Sequence, residues 1–337
     1  MAKKIRVAIN GFGRIGRTTL KAGFGKSGIE WVAVNDLTDA KTLAHLLKHD
    51  SIYGEYQKKI RATKNSIVVD GKPIKVFSER DPANLPWKEL KIDVVLECTG
   101  IFRTEELAGL HLRAGAKRVI LSAPSKGGNI PTYVLGVNAN KYKKSQKIID
   151  NASCTTNCAA PVVAVLNSKF GIKKALMTTI HAYTADQHLV DGPHKDLRRA
   201  RAAAVNMIPT TTGAAISTTE TIPELKGKFD GMAVRVPVPV GSLVDFTFLL
   251  KKKTTAEEIN TLFKKMTKHP RYKGILDATD RPLVSTDIIG NEYSSIVDLS
   301  LTKVIDGDLV KVIAWYDNEW GYSHRLAEMA REVGWKI

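Results

Sequence analysis

Two stretches decide the fold: Ile5-Arg6-Val7-Ala8-Ile9-Asn10-Gly11-Phe12-Gly13-Arg14-Ile15-Gly16 and, shortly after, Trp31-Val32-Ala33-Val34-Asn35-Asp36. The run from Ile5 to Ile9 is apolar apart from Arg6 and reads as a buried strand. It stops at Asn10-Gly11, helical spacing follows through Ile15, Leu20 and Ala22, and the second apolar run completes a βαβ unit. The G-x-G-x-x-G pattern inside that unit has a reason at each glycine. Gly11 permits the tight turn, Gly13 lets a pyrophosphate approach the backbone, and Gly16 lets helix and strand pack closely. The helix N-terminus offers N–H groups and a partial positive charge to phosphates. Asp36, 20 residues after Gly16 at the end of the next strand, can accept hydrogen bonds from a ribose diol.

Outward from this unit, further strands are expected at Ile67–Val69, Ile74–Phe77, Val94–Glu97, Arg118–Ser122 and Thr132–Val137, with a helix around Thr104–Ala114. Strands alternating with helices predict a doubly wound parallel sheet of the Rossmann type. Beyond about residue 151 the pattern changes. A helix is expected over Cys154–Ser168, bent or distorted by Pro161. Long alternating strands follow at Ala233–Val240, Leu243–Leu250, Ser294–Thr302 and Leu309–Tyr316, the last two joined through the hairpin signal Asp306-Gly307. Thr255-Ala256-Glu257-Glu258 is a capping box ahead of Ile259, Leu262, Phe263 and Met266 on one helical face. The expected class is α/β: an N-terminal Rossmann-type domain plus an α+β domain with a mainly antiparallel sheet. A final helix carries Leu326, Met329, Ala330 and Val333 on one face and must pack on something, with the first domain as its host. The expected domains are therefore 1–153 with 317–337, and 154–316.

The chain has 337 residues, 43% hydrophobic and 25% charged, which excludes disorder and low-complexity architectures as its main organisation. No run of about 18 apolar residues occurs, so no membrane span is expected. Met1 to Ile5 opens like a signal peptide, but the apolar run ends at Asn10 and no small-residue cleavage site follows, which points to the cytoplasm. Three cysteines, Cys98, Cys154 and Cys158, are too few for a disulfide framework and suit a reducing compartment. The net charge is +17, and residues 1–150 hold 27 Lys and Arg against 14 Asp and Glu, so the excess sits in the N-terminal part. An anionic ligand fits that bias.

Two further constellations carry chemistry. In Ser153-Cys154-Thr155-Thr156-Asn157-Cys158 the first cysteine sits at an expected helix start, where the dipole favours a thiolate. His181, at the end of an apolar stretch, is the best candidate base, although an inert buried thiol and a core histidine fit the residue types equally well. A metal reading of Cys154 and Cys158 is poor, because no second ligand pair stands at a useful spacing, and none is expected. The third set, Thr184, Arg199, Thr210-Thr211-Thr212-Gly213 and Arg235, suits phosphate, and it also suits ordinary turns.

Taken together the chain resembles phosphorylating glyceraldehyde-3-phosphate dehydrogenases. The likeness rests on Ala8 to Arg17, Ser153 to Cys158, His181-Ala182-Tyr183-Thr184 and Trp315 to Ser323, and it extends over essentially the whole chain. The resemblance implies NAD as cofactor, with Gly11, Gly13, Arg14, Ile15 and Gly16 at the pyrophosphate, Asp36 at the adenine ribose, Arg80 and Ser122 lining the groove and Asn318 at the nicotinamide. It implies Cys154 as nucleophile and His181 as its activator. Ser153, Thr155, Thr184, Arg199, Thr212, Gly213 and Arg235 are implied to bind the substrate phosphate and inorganic phosphate. It further implies a homotetramer with about Tyr183–Ala204 buried between subunits. Pro193 stands where NADP-using relatives tend to place serine, and Gly192 replaces a bulkier leucine. Erythrose 4-phosphate oxidation on the same plan remains an alternative. Nucleic-acid binding through the basic first domain is a second one, without an aromatic-rich basic strand or a dedicated motif to support it.

Overall fold

The computed structural model describes residues 4–337, so the first three residues of the segment weighed as a signal-peptide start lie outside it. The chain forms two compact units. One comprises residues 4–133, 141–152 and 323–337, and the other residues 134–140 and 153–322.

The first unit is built on an eight-stranded sheet. Its strands lie in the order Ile148–Asp150, Arg118–Leu121, Val94–Glu97, Ile5–Asn10, Ile29–Asn35, Lys72–Phe77, Ser66–Val69 and Ile60–Thr63. The first six run parallel and the last two turn back as antiparallel hairpins. Ile5–Asn10 is central. It pairs with Ile29–Asn35 on one side and Val94–Glu97 on the other, which makes its carboxyl end the point where the strand order reverses. Val7, Ala8 and Ile9 are fully buried, as a central parallel strand requires. The helix Trp320–Gly334 puts Leu326, Met329, Ala330 and Val333 into the core. Its Ala327 closes on Gly23, and Gly334 lies against Ile5 so tightly that a Cβ there would sit 2.4 Å from the isoleucine side chain.

The second unit carries a seven-stranded, mainly antiparallel sheet. Its order is Ile208–Thr211, Phe229–Val236, Ile172–Ala182, Ser242–Leu250, Leu309–Tyr316, Ser295–Ile305 and Leu276–Thr279. Ser242–Leu250 shows strict alternation, with Val244, Phe246, Phe248 and Leu250 buried. Asp306 and Gly307 both take positive φ in the three-residue hairpin connection between Ile305 and Leu309, and the Thr255–Glu258 capping box is formed.

Several expectations need correction. Thr132–Val137 is not a strand. Thr132 makes one isolated bridge to Asp150, and then the Val134 carbonyl accepts the N–H groups of Val137 and Asn138 while its own N–H is taken by the Asn138 side chain, which winds the apolar run into a turn. The strand expected at Ala233–Val240 ends at Val236, because Pro237 and Pro239 have no N–H to offer a ladder. The helix expected over Cys154–Ser168 is present and runs on to Phe170 through Pro161, with Ala159, Ala160, Val162 and Val163 buried around it.

Gly16 tests the packing under the turn. A Cβ there would sit 2.2 Å from the Gly11 carbonyl. Gly16→Ala is expected to cost about 1–3 kcal/mol through overpacking, read as a fall in Tm, and to weaken dinucleotide binding measured by calorimetry.

Candidate active site

The backbone delivers Cys154 through a sharp corner. Ala152, fully buried, takes φ 55°, a left-handed conformation uncommon for a residue with a Cβ, and its N–H donates to Asp150 Oδ1 at 2.9 Å. Ser153 then caps the helix, its Oγ accepting the Thr156 N–H at 3.0 Å. Cys154 is thereby the first residue of the helix, partly exposed, with Sγ 3.4 Å from His181 Nε2.

His181 stands near the end of the Ile172–Ala182 strand. Its Nδ1 donates to the Ala182 carbonyl at 2.6 Å, which leaves Nε2 as the acceptor facing sulfur. Arg235 Nη1 lies 3.0 Å from the same Nδ1 and donates to the same carbonyl at 3.0 Å, with Thr184 Oγ1 at 3.4 Å. Burial first, and the Arg235 charge second, push the histidine down to about 3. Burial also pushes the Cys154 thiol up, while Arg235 and hydrogen bonds from Thr155 pull it back part of the way. Burial thus disfavours the charged form of both groups, thiolate and imidazolium alike. The helix start does not by itself make the thiolate, and Arg235 favours thiolate while disfavouring imidazolium.

Two arginines differ in their company. Arg199 is neutralised, with Nη1 on Asp186 at 2.5 Å, Nε on Thr210 Oγ1 at 2.9 Å and Asp196 at 3.7 Å. Among the described residues Arg235 donates to a carbonyl and a hydroxyl, and its buried Nε has no hydrogen-bond partner. An anion entering beside Cys154 finds a guanidinium there that no carboxylate hydrogen-bonds. Thr212 Oγ1 accepts the Ala214 N–H, and Gly213 opens the Ala214–Thr221 helix. The Thr155 hydroxyl is turned onto Tyr316 at 2.8 Å, and Ser153 is occupied as the cap.

In the first unit, a cavity of about 430 Å³ opens at the carboxyl ends of the central strands. Gly11, Gly13, Asp36, Leu37, Arg80 and Ile101 are among its lining residues. Among the described residues no side chain caps the Arg14–Gly23 helix and its first turn has no acid, so its positive end suits an anion. A Cβ at Gly13 would meet nothing within 4 Å, leaving room for a ligand, whereas at Gly11, φ 89°, it would strike the Thr99 backbone at 2.7 Å. Asp36 accepts from Phe12 N–H at 2.8 Å and Thr38 N–H at 3.0 Å, which holds it against the turn with lone pairs to spare for two hydroxyls. Ile15 follows Arg14 in the helix's first turn. The Arg14 side chain reaches Asp50 at 2.9 Å, so its part at the turn is that of backbone. Ser122 bonds the end of the Val94–Glu97 strand through its N–H and also meets the Cys98 thiol. Asn318, in the second unit, has its Oδ1 taken by Gly241 N–H and Ser242 Oγ, which aims its amide nitrogen as a donor. The residues of the first unit fit a dinucleotide.

Comparison with known proteins bears on the same residues. Residues 5–105 match the NAD-binding domain of glyceraldehyde 3-phosphate dehydrogenase, and residues 153–318 match its C-terminal domain. The chain belongs to the glyceraldehyde-3-phosphate dehydrogenase family. It is 54% identical over 336 residues to glyceraldehyde-3-phosphate dehydrogenase 2 of Synechocystis sp., covering 98% of this chain and 99% of the relative. It is equally 54% identical to the Borreliella burgdorferi enzyme over 335 residues, with the same coverage, and to the Streptomyces coelicolor enzyme over 332 residues, covering 98% of each. As a member of this family it is an NAD-dependent dehydrogenase. No helix among the described residues is long and apolar enough to cross a membrane.

Several members of this site escape a reading of the sequence. Tyr316 bridges the Thr155 and Thr179 hydroxyls at 2.8 and 2.9 Å and stands edge-on to the His181 ring, 5.9 Å away. Asp186 and Asp196 hold Arg199. Nothing in the spacing announces them, since each is brought in by sheet register or loop folding.

The three thiols differ in setting. Burial and Ser295 contact leave Cys158 at about 12, and burial beside Glu97 raises Cys98 further. Because the Cys154 thiol is raised, its thiolate fraction grows as pH rises above neutrality. Alkylation by iodoacetamide, mapped by peptide, is expected at Cys154 at least about tenfold ahead of the others, accelerating with pH. Arg235→Gln should move that profile to higher pH, and an unmoved profile would dissociate Arg235 from the thiol.

Proposed function

We propose that the chain converts D-glyceraldehyde 3-phosphate, inorganic phosphate and NAD to 1,3-bisphosphoglycerate and NADH. The observation that carries this reading is the 3.4 Å contact between Cys154 Sγ and His181 Nε2 beside Arg235, whose buried Nε has no hydrogen-bond partner among the described residues. His181 takes the thiol proton and sulfur adds to the aldehyde carbon, with the proton returning to the new alkoxide of the hemithioacetal. The backbone N–H of Cys154 steadies that oxyanion. His181 next removes the hydroxyl proton as the carbon is oxidised to the thioester. Bound NAD supplies the hydride acceptor. Inorganic phosphate then attacks the thioester carbonyl, the carbon–sulfur bond breaks, the leaving sulfur takes back the proton held by His181, and the phosphate proton passes to solvent.

Arg235 and Thr184 serve one phosphate group, and Thr212, Gly213 and Arg199 the other, with Arg199 exchanging Asp186 for the anion. Ser153 and Thr155 act at the edge of the site, one as helix cap and one through Tyr316. Gly11 to Gly16, Asp36, Arg80, Ser122 and Asn318 hold the cofactor. Residues 1–153 and 317–337 are assigned to the NAD-binding domain, and 154–316 to catalysis. We place the enzyme in the cytoplasm as a homotetramer. Leu189, Leu197, Val205, Met207 and Ile216 each leave well over half of their surface exposed, which supports burial between subunits.

Without phosphate the enzyme is expected to give a burst of about one NADH per site and then stall, since water attacks a thioester slowly. Sustained turnover in phosphate-free buffer would mark a hydrolytic enzyme instead. Side-by-side kcat/KM on erythrose 4-phosphate separates the sister activity.

NAD is expected to be preferred over NADP at physiological ionic strength. The Asp36 carboxylate faces the position of a 2′-phosphate at contact range, whereas the diffuse positive charge of the N-terminal part is screened. Asp36→Ala should narrow the ratio of kcat/KM for the two cofactors, and a ratio that stays put would clear Asp36.

A further inference from the structure

Beneath the dinucleotide pocket lies a set of buried polar side chains that the reaction leaves unused. Glu97, 1% exposed, ends the Val94–Glu97 strand and is the acceptor in each bond it makes. Its Oε1 takes the Thr99 N–H at 2.7 Å and the Thr99 hydroxyl at 2.5 Å. Its Oε2 takes Asn10 Nδ2 at 2.6 Å and His111 Nε2 at 3.1 Å. His111 is wholly buried and its Nδ1 accepts the Trp87 indole N–H at 3.1 Å, so the ring proton must sit on Nε2. On the other side, Asn10 Oδ1 accepts Asn35 Nδ2 at 2.7 Å. The Asn35 amide then closes on the Glu79 backbone, donating to its carbonyl at 2.9 Å and accepting its N–H at 2.8 Å.

Every bond in this chain has a direction, and the directions agree from the indole to Glu79. Indole N–H can only donate, and that sets the histidine tautomer. The histidine and Asn10 both donate to Glu97, and the backbone of Glu79 fixes which way the Asn35 amide is turned. The backbone segments that line the pocket near residues 10–13, 35–37, 79–80 and 98–102 are all tied to one carboxylate through Asn10, Asn35 and Thr99.

We propose that Glu97 is a positioning residue for NAD binding: it holds the pocket-lining loops in register, and the Trp87–His111 pair sets the hydrogen-bond polarity through which it does so. The proposal rests on NAD occupying this pocket. Glu97→Gln keeps the shape but introduces an NH2 that faces a donor whichever way the amide turns, Thr99 N–H on one side and Asn10 with His111 on the other. Adding Trp87→Phe releases His111 to carry its proton on Nδ1 and to accept from Gln at position 97. The two changes should therefore couple.

The test is the Kd for NAD by calorimetry on the cofactor-free full chain, alongside Tm and the iodoacetamide rate at Cys154. Wild type that failed to bind NAD would refute the pocket's reading rather than this one. E97Q is expected to bind at least about tenfold more weakly with an unchanged Cys154 alkylation rate. The E97Q/W87F double variant is expected to bind more tightly than E97Q alone. If E97Q does not fold, His111 supplies the comparison: H111Q, which can accept from Trp87 and donate to Glu97, should bind NAD at least about fivefold more tightly than H111L. A folded E97Q with wild-type Kd, strictly additive effects in the double variant, or equal binding by H111Q and H111L would each overturn the proposal.

Discussion

His181 and Arg235 are register partners in the parallel pair formed by Ile172–Ala182 and Phe229–Val236. Opposed residues of paired strands project to the same face, so the ladder itself places the imidazole and guanidinium side by side. Both then donate to the Ala182 carbonyl. One oxygen thus selects the histidine tautomer, aims its free lone pair at sulfur and anchors the arginine. A slip of one residue would turn Arg235 to the opposite face and leave a histidine without its electrostatic neighbour. Thr179, two residues earlier on the same strand, carries Tyr316 under the ring. The rest of the catalytic geometry follows from this one pairing.

The same unit shows how charge is apportioned. Arg199 is spent on carboxylates, whereas Arg235 is left facing the thiol with neutral partners. A site with two free arginines would repel itself, and one with two neutralised arginines would have little hold on an anion. Splitting them gives a strong first contact and a second cation that becomes available when an anion displaces Asp186.

The βαβ unit was legible because its glycines are demanded by backbone contacts and its strands are near-continuous apolar runs. The long strands of the second unit were legible through alternation, and the Asp306-Gly307 turn through its positive φ. Ile172–Ala182 was missed because Lys173 and Lys174 interrupt its apolar pattern where the ladder shifts register. The helix Ala214–Thr221 was missed because Ser and Thr dominate it, and packing overrides their weak propensity. Thr132–Val137 looked like a strand and is a turn, since Asn138 supplies the bond that a neighbouring strand would have supplied. For the site, motif and resemblance pointed to Cys154, His181 and the glycines. The histidine tautomer and the neutralised Arg199 depend on distances that residue types do not contain.

The helix Trp320–Gly334 adds Leu326, Met329, Ala330 and Val333 to a unit whose other residues come mostly from the first 152 positions. During synthesis those early strands emerge long before the helix that covers Ile5 and Gly23, with the whole of the second unit made in between. The first unit translated is therefore the last able to close its core. Until then it shows apolar surface to the cell, and a ribosome that stalls before residue 323 leaves a nascent chain in need of a chaperone.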